Sequence, residues 1–179
     1  NVAVGNAALS ANTTASYNSA MGVSALASNS TGADNTAIGY QALTANTTGT
    51  KNTALGVKAL TTCTTGHENV ALGMHAMQDA TTADYCTAVG EQALESLTTG
   101  TRNVAVGNVA LYTNETGGYN VAIGNGALQT YTGSNSVAIG NDCLTNCTTG
   151  ADNVAIGYQA LELNTTAANN VAVGYKSLE

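Results

Sequence analysis

Asn35-Thr36-Ala37-Ile38-Gly39-Tyr40-Gln41-Ala42-Leu43-Thr44-Ala45-Asn46-Thr47-Thr48-Gly49-Thr50-Lys51 is the stretch that decides the fold, because the sequence begins it again at Asn52. Glycine recurs at 5, 22, 39, 56, 73, 90, 107 and 124, each step being 17 residues. One step of 16 leads to Gly140, and Gly157 and Gly174 resume the longer step. Repeats therefore start at 1, 18, 35, 52, 69, 86, 103, 120, 136, 153 and 170, and the whole chain, 1–179, reads as one array. All eleven hold Ala at position 3 and Gly at position 5. Position 9 is Leu in every repeat but one, where it is Met77. Position 14 is Thr once a deletion before Thr132 is allowed for. Self-similarity at a fixed short period is the signature of a stacked architecture.

The period selects the kind of stack. Seventeen residues are too few for a pair of helices or a leucine-rich repeat. They suit one coil of an all-β parallel solenoid. Asn153-Val154-Ala155-Ile156 is β-branched, alternates, and ends at glycine, as a short strand does. Tyr158-Gln159-Ala160-Leu161 follows as a second short strand or a tight bend, and Thr-Thr-Gly marks a turn. Between the two glycines about six residues remain, fewer than a stable helix needs. The aliphatic fourth position (Val4, Ile38, Leu72, Ile123, Ile156) and the ninth are expected to form two inward ladders. Representative ladder residues are Ala3, Gly5, Leu9, Gly39, Leu43, Gly124, Leu128, Gly157 and Leu161. Asn at position 1 is placed to form a hydrogen-bonded ladder along the axis. Rungs about 4.7–4.9 Å apart predict a rod roughly 50 Å long.

Composition agrees with a thin core. The chain has no Pro, Trp or Phe, and small residues dominate, so a wide globular interior has nothing to fill it. A net charge of −7 with only four Lys and Arg excludes binding to nucleic acid, which needs phosphate neutralisation. No run of eighteen apolar residues is present, so membrane insertion is not expected. The first residues show no leader pattern. Asn1 opens directly into a repeat and Glu179 stops ten residues into another. Uncapped ends of this kind read as an excerpt of a longer fibre or as end-to-end self-assembly.

The runs Asn120-Val121-Ala122-Ile123-Gly124 and Ser136-Val137-Ala138-Ile139-Gly140 resemble the head repeats of trimeric autotransporter adhesins. The longer run from Asn35 to Leu43, with Asn46-Thr47-Thr48-Gly49, is similar to repeats of bacteriophage tail-fibre proteins. The resemblance spans the chain. It implies a left-handed β-roll, three chains to a fibre, and a role in adhesion or host attachment, extracellular or on the virion. The adhesin repeat is shorter, and the additional residues here fall in the Thr-Thr-Gly loop.

No residue pattern asks for a cofactor, a metal or a catalytic role. His67 and His75 occupy different repeat positions, and no G-x-S-x-G elbow occurs. Cys63, Cys86, Cys143 and Cys147 lack zinc-site spacing and read as small buried thiols. Sequons at Asn12, Asn29, Asn46, Asn114, Asn146 and Asn164 are possible glycosylation sites on an outward loop, although Asn-Thr-Thr-Gly is also ordinary turn chemistry. The Thr column at position 14 raises ice binding. Adjacent pairs such as Thr47-Thr48 are expected to point to opposite sides, which counts against it. Acidic residues near the repeat junction (Asp34, Glu68, Asp84, Asp152) read as a solvated face. Tyr40, Tyr158 and Tyr175 at position 6, with Tyr17, Tyr85 and Tyr119 at position 17, can stack on surface glycans of a host or pack between copies. The expected role is a structural fibre, shaft or adhesive head; a glycan-coated or glycan-binding filament and an ice-binding solenoid are the alternatives.

Overall fold

The computed structural model describes residues 1–178; Glu179, the tenth residue of the eleventh repeat, lies outside them. The chain is an all-β parallel solenoid. Each repeat contributes one three-residue strand: β1 (Val2–Val4), β2 (Ser19–Met21), β3 (Thr36–Ile38), β4 (Thr53–Leu55), β5 (Val70–Leu72), β6 (Thr87–Val89), β7 (Val104–Val106), β8 (Val121–Ile123), β9 (Val137–Ile139), β10 (Val154–Ile156) and β11 (Val171–Val173). They pair in sequence order as one eleven-stranded sheet. The register follows the period, with Ala20 opposite Ala37 and Ala37 opposite Ala54. The 16-residue step is absorbed in a loop, since Ala122 still pairs with Ala138.

Of the two sequence-based options for the segment after glycine, the tight bend is the one formed. Its N–H groups close turns, Ala25 to Gly22 O and Asn29 to Leu26 O, at 3.3 and 3.2 Å. Its remaining backbone groups bond between coils, as Leu26 N donates to Ala42 O at 3.1 Å and Gln41 N to Val23 O at 2.9 Å. Coil-to-coil bonds thus run around the perimeter, well beyond the strands, and satisfy backbone that a loop would leave to water. The bend is tight because positions 7, 9 and 17 are left-handed: Gln92 has φ 58°, Leu94 53° and Arg102 58°. Such residues cost on the order of 1 kcal/mol each and persist only where the surroundings fix them.

Sidedness differs from the expectation at one column. Position 3 alanines point inward and are fully buried from Ala37 to Ala155, whereas the position 4 aliphatics point out. Ile38 and Leu72 keep 36% and 37% of their surface exposed, so the second inward ladder is alanine, not Val, Ile or Leu. The reason is alternation. Side chains alternate along a strand, so with the position 3 alanine inward, positions 2 and 4 must face out, and the interior volume is filled from positions 8, 9 and 12 instead.

Candidate functional site

The interior is a spine that carries one polar ladder along its length and a shorter one beside it. At position 1, each Asn Oδ1 accepts the backbone N–H of the residue one coil on: Asn18 to Asn35 at 2.9 Å, Asn35 to Asn52 at 2.9 Å, Asn52 to Asn69 at 3.1 Å. Its Nδ2 donates to the carbonyl at position 15 of its own coil, Gly49 for Asn35 and Gly66 for Asn52, at 2.8 and 2.7 Å. The expected axial ladder is therefore present, alternating side chain and backbone. Cys86 keeps both functions weakly: its Sγ donates to Gly100 O at 3.5 Å and accepts from Asn103 N at 3.4 Å.

Position 12 adds a short ladder that links Asn12, Asn29 and Asn46, on a column that the sequence reading puts on the outside. Asn29, Asn46 and Asn114 are fully buried. Asn46 Nδ2 donates to Asn29 Oδ1 and to Gly49 O at 2.7 and 3.0 Å. An amide nitrogen so placed has no path to a glycan, which corrects the expectation of an outward sequon loop. Asn12 and Asn164 occupy the same position and are half-buried. Asn146 sits one position earlier and is exposed, with Nδ2 on Glu162 O at 3.0 Å. The sequence signal was available: Cys63, Ala80, Leu97, Tyr131 and Cys147 share position 12, and a column that alternates Asn with apolar residues faces inward. The shortened coil is repaired there. Tyr131 fills the space and its hydroxyl bonds Ser134 O at 2.8 Å and Ser136 Oγ at 2.9 Å. Thr132 bonds Thr148 O through both N and Oγ1, so it stands at position 13, and the missing residue is the one after it.

All four cysteines are free and buried. Burial pushes the thiols of Cys63, Cys86 and Cys143 up to about 11, and that of Cys147 upward too. A thiol reagent at pH 8 is expected to label none of them in the folded chain and all four in guanidinium chloride. The sign of the pH effect follows. An unfolded thiol releases its proton near 9.0, whereas the folded one holds it to about 11. Rising pH in that window favours the unfolded chain, so urea midpoints should be constant below pH 9 and fall between 9 and 11. Replacing the cysteines by alanine should flatten that fall.

Three outer surfaces remain. The strand face presents positions 2 and 4. The corner at positions 13 and 14 carries threonine. The expectation of opposite sides fails there because the segment is not a strand: position 13 is half-buried and position 14 exposed, as at Thr64 and Thr65. Position 13 hydroxyls donate to the position 13 carbonyl of the next coil, Thr47 to Thr64 and Thr81 to Thr98, at 3.0 and 3.1 Å. The junction at positions 16 and 17 holds charges and rings: Lys51 pairs with Glu68 at 3.1 Å, His67 with Asp84 at 3.1 Å, and Arg102 lies 5.1 and 5.4 Å from the rings of Tyr85 and Tyr119. Tyr158 and Tyr175 stack at 5.3 Å on the position 6 column. Tyr17, Tyr40, Tyr85, Tyr119, Tyr158 and Tyr175 are all exposed.

Among the described residues, no group of three or more His, Cys, Asp or Glu is placed to hold a metal, and no helix is long and apolar enough to cross a membrane. Compared with family models, with curated proteins and with solved structures, the chain has no match.

Proposed function

We propose that this chain is a stretch of the shaft or adhesive head of an extracellular or virion fibre, in which several copies run side by side. The observation that carries the reading is the uninterrupted stack: eleven strands in one sheet, tied coil to coil around the perimeter and along the position 1 ladder, make a stiff rod. A rod spaces or presents something, and its repeated outer surfaces are the working parts. Three copies is the number implied by the resemblance to adhesin and tail-fibre repeats. Antibodies raised against the folded chain should label projecting fibres on the cell or particle that makes it; label confined to the cell interior would overturn the proposal. A glycan array then separates head from shaft. Binding lost on Tyr158→Ala and Tyr175→Ala together marks a head; no binding leaves a shaft.

One observation favours a second reading. Positions 13 and 14 form two outward hydroxyl columns, unbroken from Thr13-Thr14 to Thr98-Thr99, one of them locked to the backbone. A rigid hydroxyl and methyl array at rung spacing can order water, and it lacks the rings and charges that sugars engage. Thermal hysteresis at millimolar chain, abolished by Thr65→Tyr, is the outcome this reading requires. Its absence removes ice binding and leaves the fibre untouched.

A further inference from the structure

The strand face is an apolar surface without a partner in the single chain. Position 4 is aliphatic in every coil, from Val4 through Met21, Leu55 and Ile123 to Val173. Position 2, beside it on the same face, is Val except at Ser19, Thr36, Thr53 and Thr87. No charged residue occurs in either column. Position 4 side chains are exposed or half-exposed throughout, at 38% for Ile123 and Ile156 and 51% for Met21. The two columns run the length of the eleven-stranded sheet without a charge, a continuous partly exposed apolar strip of the kind that marks a contact surface.

Resting on the fibre reading, we propose that this face is the contact between copies of the chain, which lie parallel and in register with their strand faces together. Two features of the face select the occupant. The side chains stand in straight columns repeating at rung spacing, so they interdigitate best with a surface of the same spacing, and a second copy has it. The face is also graded along its length. From β7 to β11 both columns are Val or Ile, whereas β2, β3, β4 and β6 carry Ser or Thr at position 2. Reversing one copy would set its wholly aliphatic half against the hydroxyl-bearing half of the other, whereas the parallel arrangement sets like against like, aliphatic on aliphatic from β7 to β11 and hydroxyl on hydroxyl at Ser19, Thr36, Thr53 and Thr87.

Cysteine cross-linking tests both the face and the direction, and the buried native thiols do not interfere. In parallel register each residue meets its own counterpart. Ile38→Cys and Ile139→Cys, near opposite ends of the stack, should each give covalent homodimers with a short bis-maleimide in more than half of the chains. Thr65→Cys, on the threonine corner, should give almost none. Cross-linking restricted to Val89→Cys at the middle coil would mean antiparallel packing and would overturn the proposal. So would a wild-type chain that sediments as a monomer at 100 µM. The double variant Ile123→Asp/Ile139→Asp alters outward side chains only. It should keep the circular dichroism of the wild type and lose association at least tenfold; unchanged association would place the contact elsewhere. The antibody labelling above is independent of these outcomes, so a monomeric chain that still labels fibres would remove this interface and leave the fibre reading standing.

Discussion

Gly73→Ala should unfold or split the stack, at a cost above about 4 kcal/mol. The residue has φ +141°, a conformation that side chains rarely adopt, and an added Cβ would run into the carbonyl group of Gly90 in the next coil. That carbonyl cannot withdraw, because the same crowding recurs at Gly90 against Gly107 and at Gly107 against Gly124. In an array where each coil touches only its neighbours, a break in the middle leaves two shorter stacks, each with a new open end. Equilibrium urea unfolding should show either loss of the transition or two transitions replacing one. Gly126→Ala is the contrast. Gly126 stands at position 7 with φ +64°, where other coils hold Ser24, Gln41 and Lys58 with similar angles, and its added Cβ would meet only the flexible carboxylate of Asp142. That substitution should change stability by about 1 kcal/mol or less.

Asn52→Leu should cost about 3–5 kcal/mol, the second largest effect expected. Leucine keeps the branched outline of asparagine with somewhat more bulk and removes its three functions. The N–H of Asn69 loses its acceptor at 3.1 Å, Asn69 Nδ2 loses its contact with the same oxygen at 3.1 Å, and Gly66 O loses a donor at 2.7 Å. All of these groups are buried, so water does not replace what is lost. Asn52→Cys should cost less than half as much, because a thiol supplies one donor and one acceptor. Cys86 shows that arrangement in the sixth coil. Chemical denaturation of the two variants side by side measures the difference.

The parts of the fold legible in the sequence are those where one residue type alone satisfies the geometry. Position 5 demands glycine in each coil and position 1 demands a side chain that both donates and accepts, so period, strand and axial ladder could be read from Gly39, Asn35 and their counterparts. The tight bend could not be read with the same certainty. Apart from Gly126 and Asp142, its left-handed residues are types such as Leu, Gln, Lys, His and even Val109, which do not signal that conformation, because coil-to-coil hydrogen bonds impose it. Sidedness was misread for a related reason. A three-residue strand offers no alternation long enough to reveal a face, and the usual rule that the larger side chain goes inward fails where the single inward position of the strand is alanine, as at Ala37 beside Ile38. The sequons were misplaced because Asn-Thr-Thr-Gly is good turn chemistry on either side of a wall. The buried neighbours of Asn46 in its column, Asn29 and Cys63, were the clue. Once Ile38 and its column are turned outward, the candidate surface changes from loop to strand face.

Cryo-EM of the native fibre, at a resolution that separates rungs, tests the central claim most directly. The expected map has rungs about 4.8 Å apart, more than one solenoid around the axis, strand faces turned toward one another, and no added density on Asn29 or Asn46. A single column with its strand face bare to solvent, or glycan density on those two asparagines, would contradict the account.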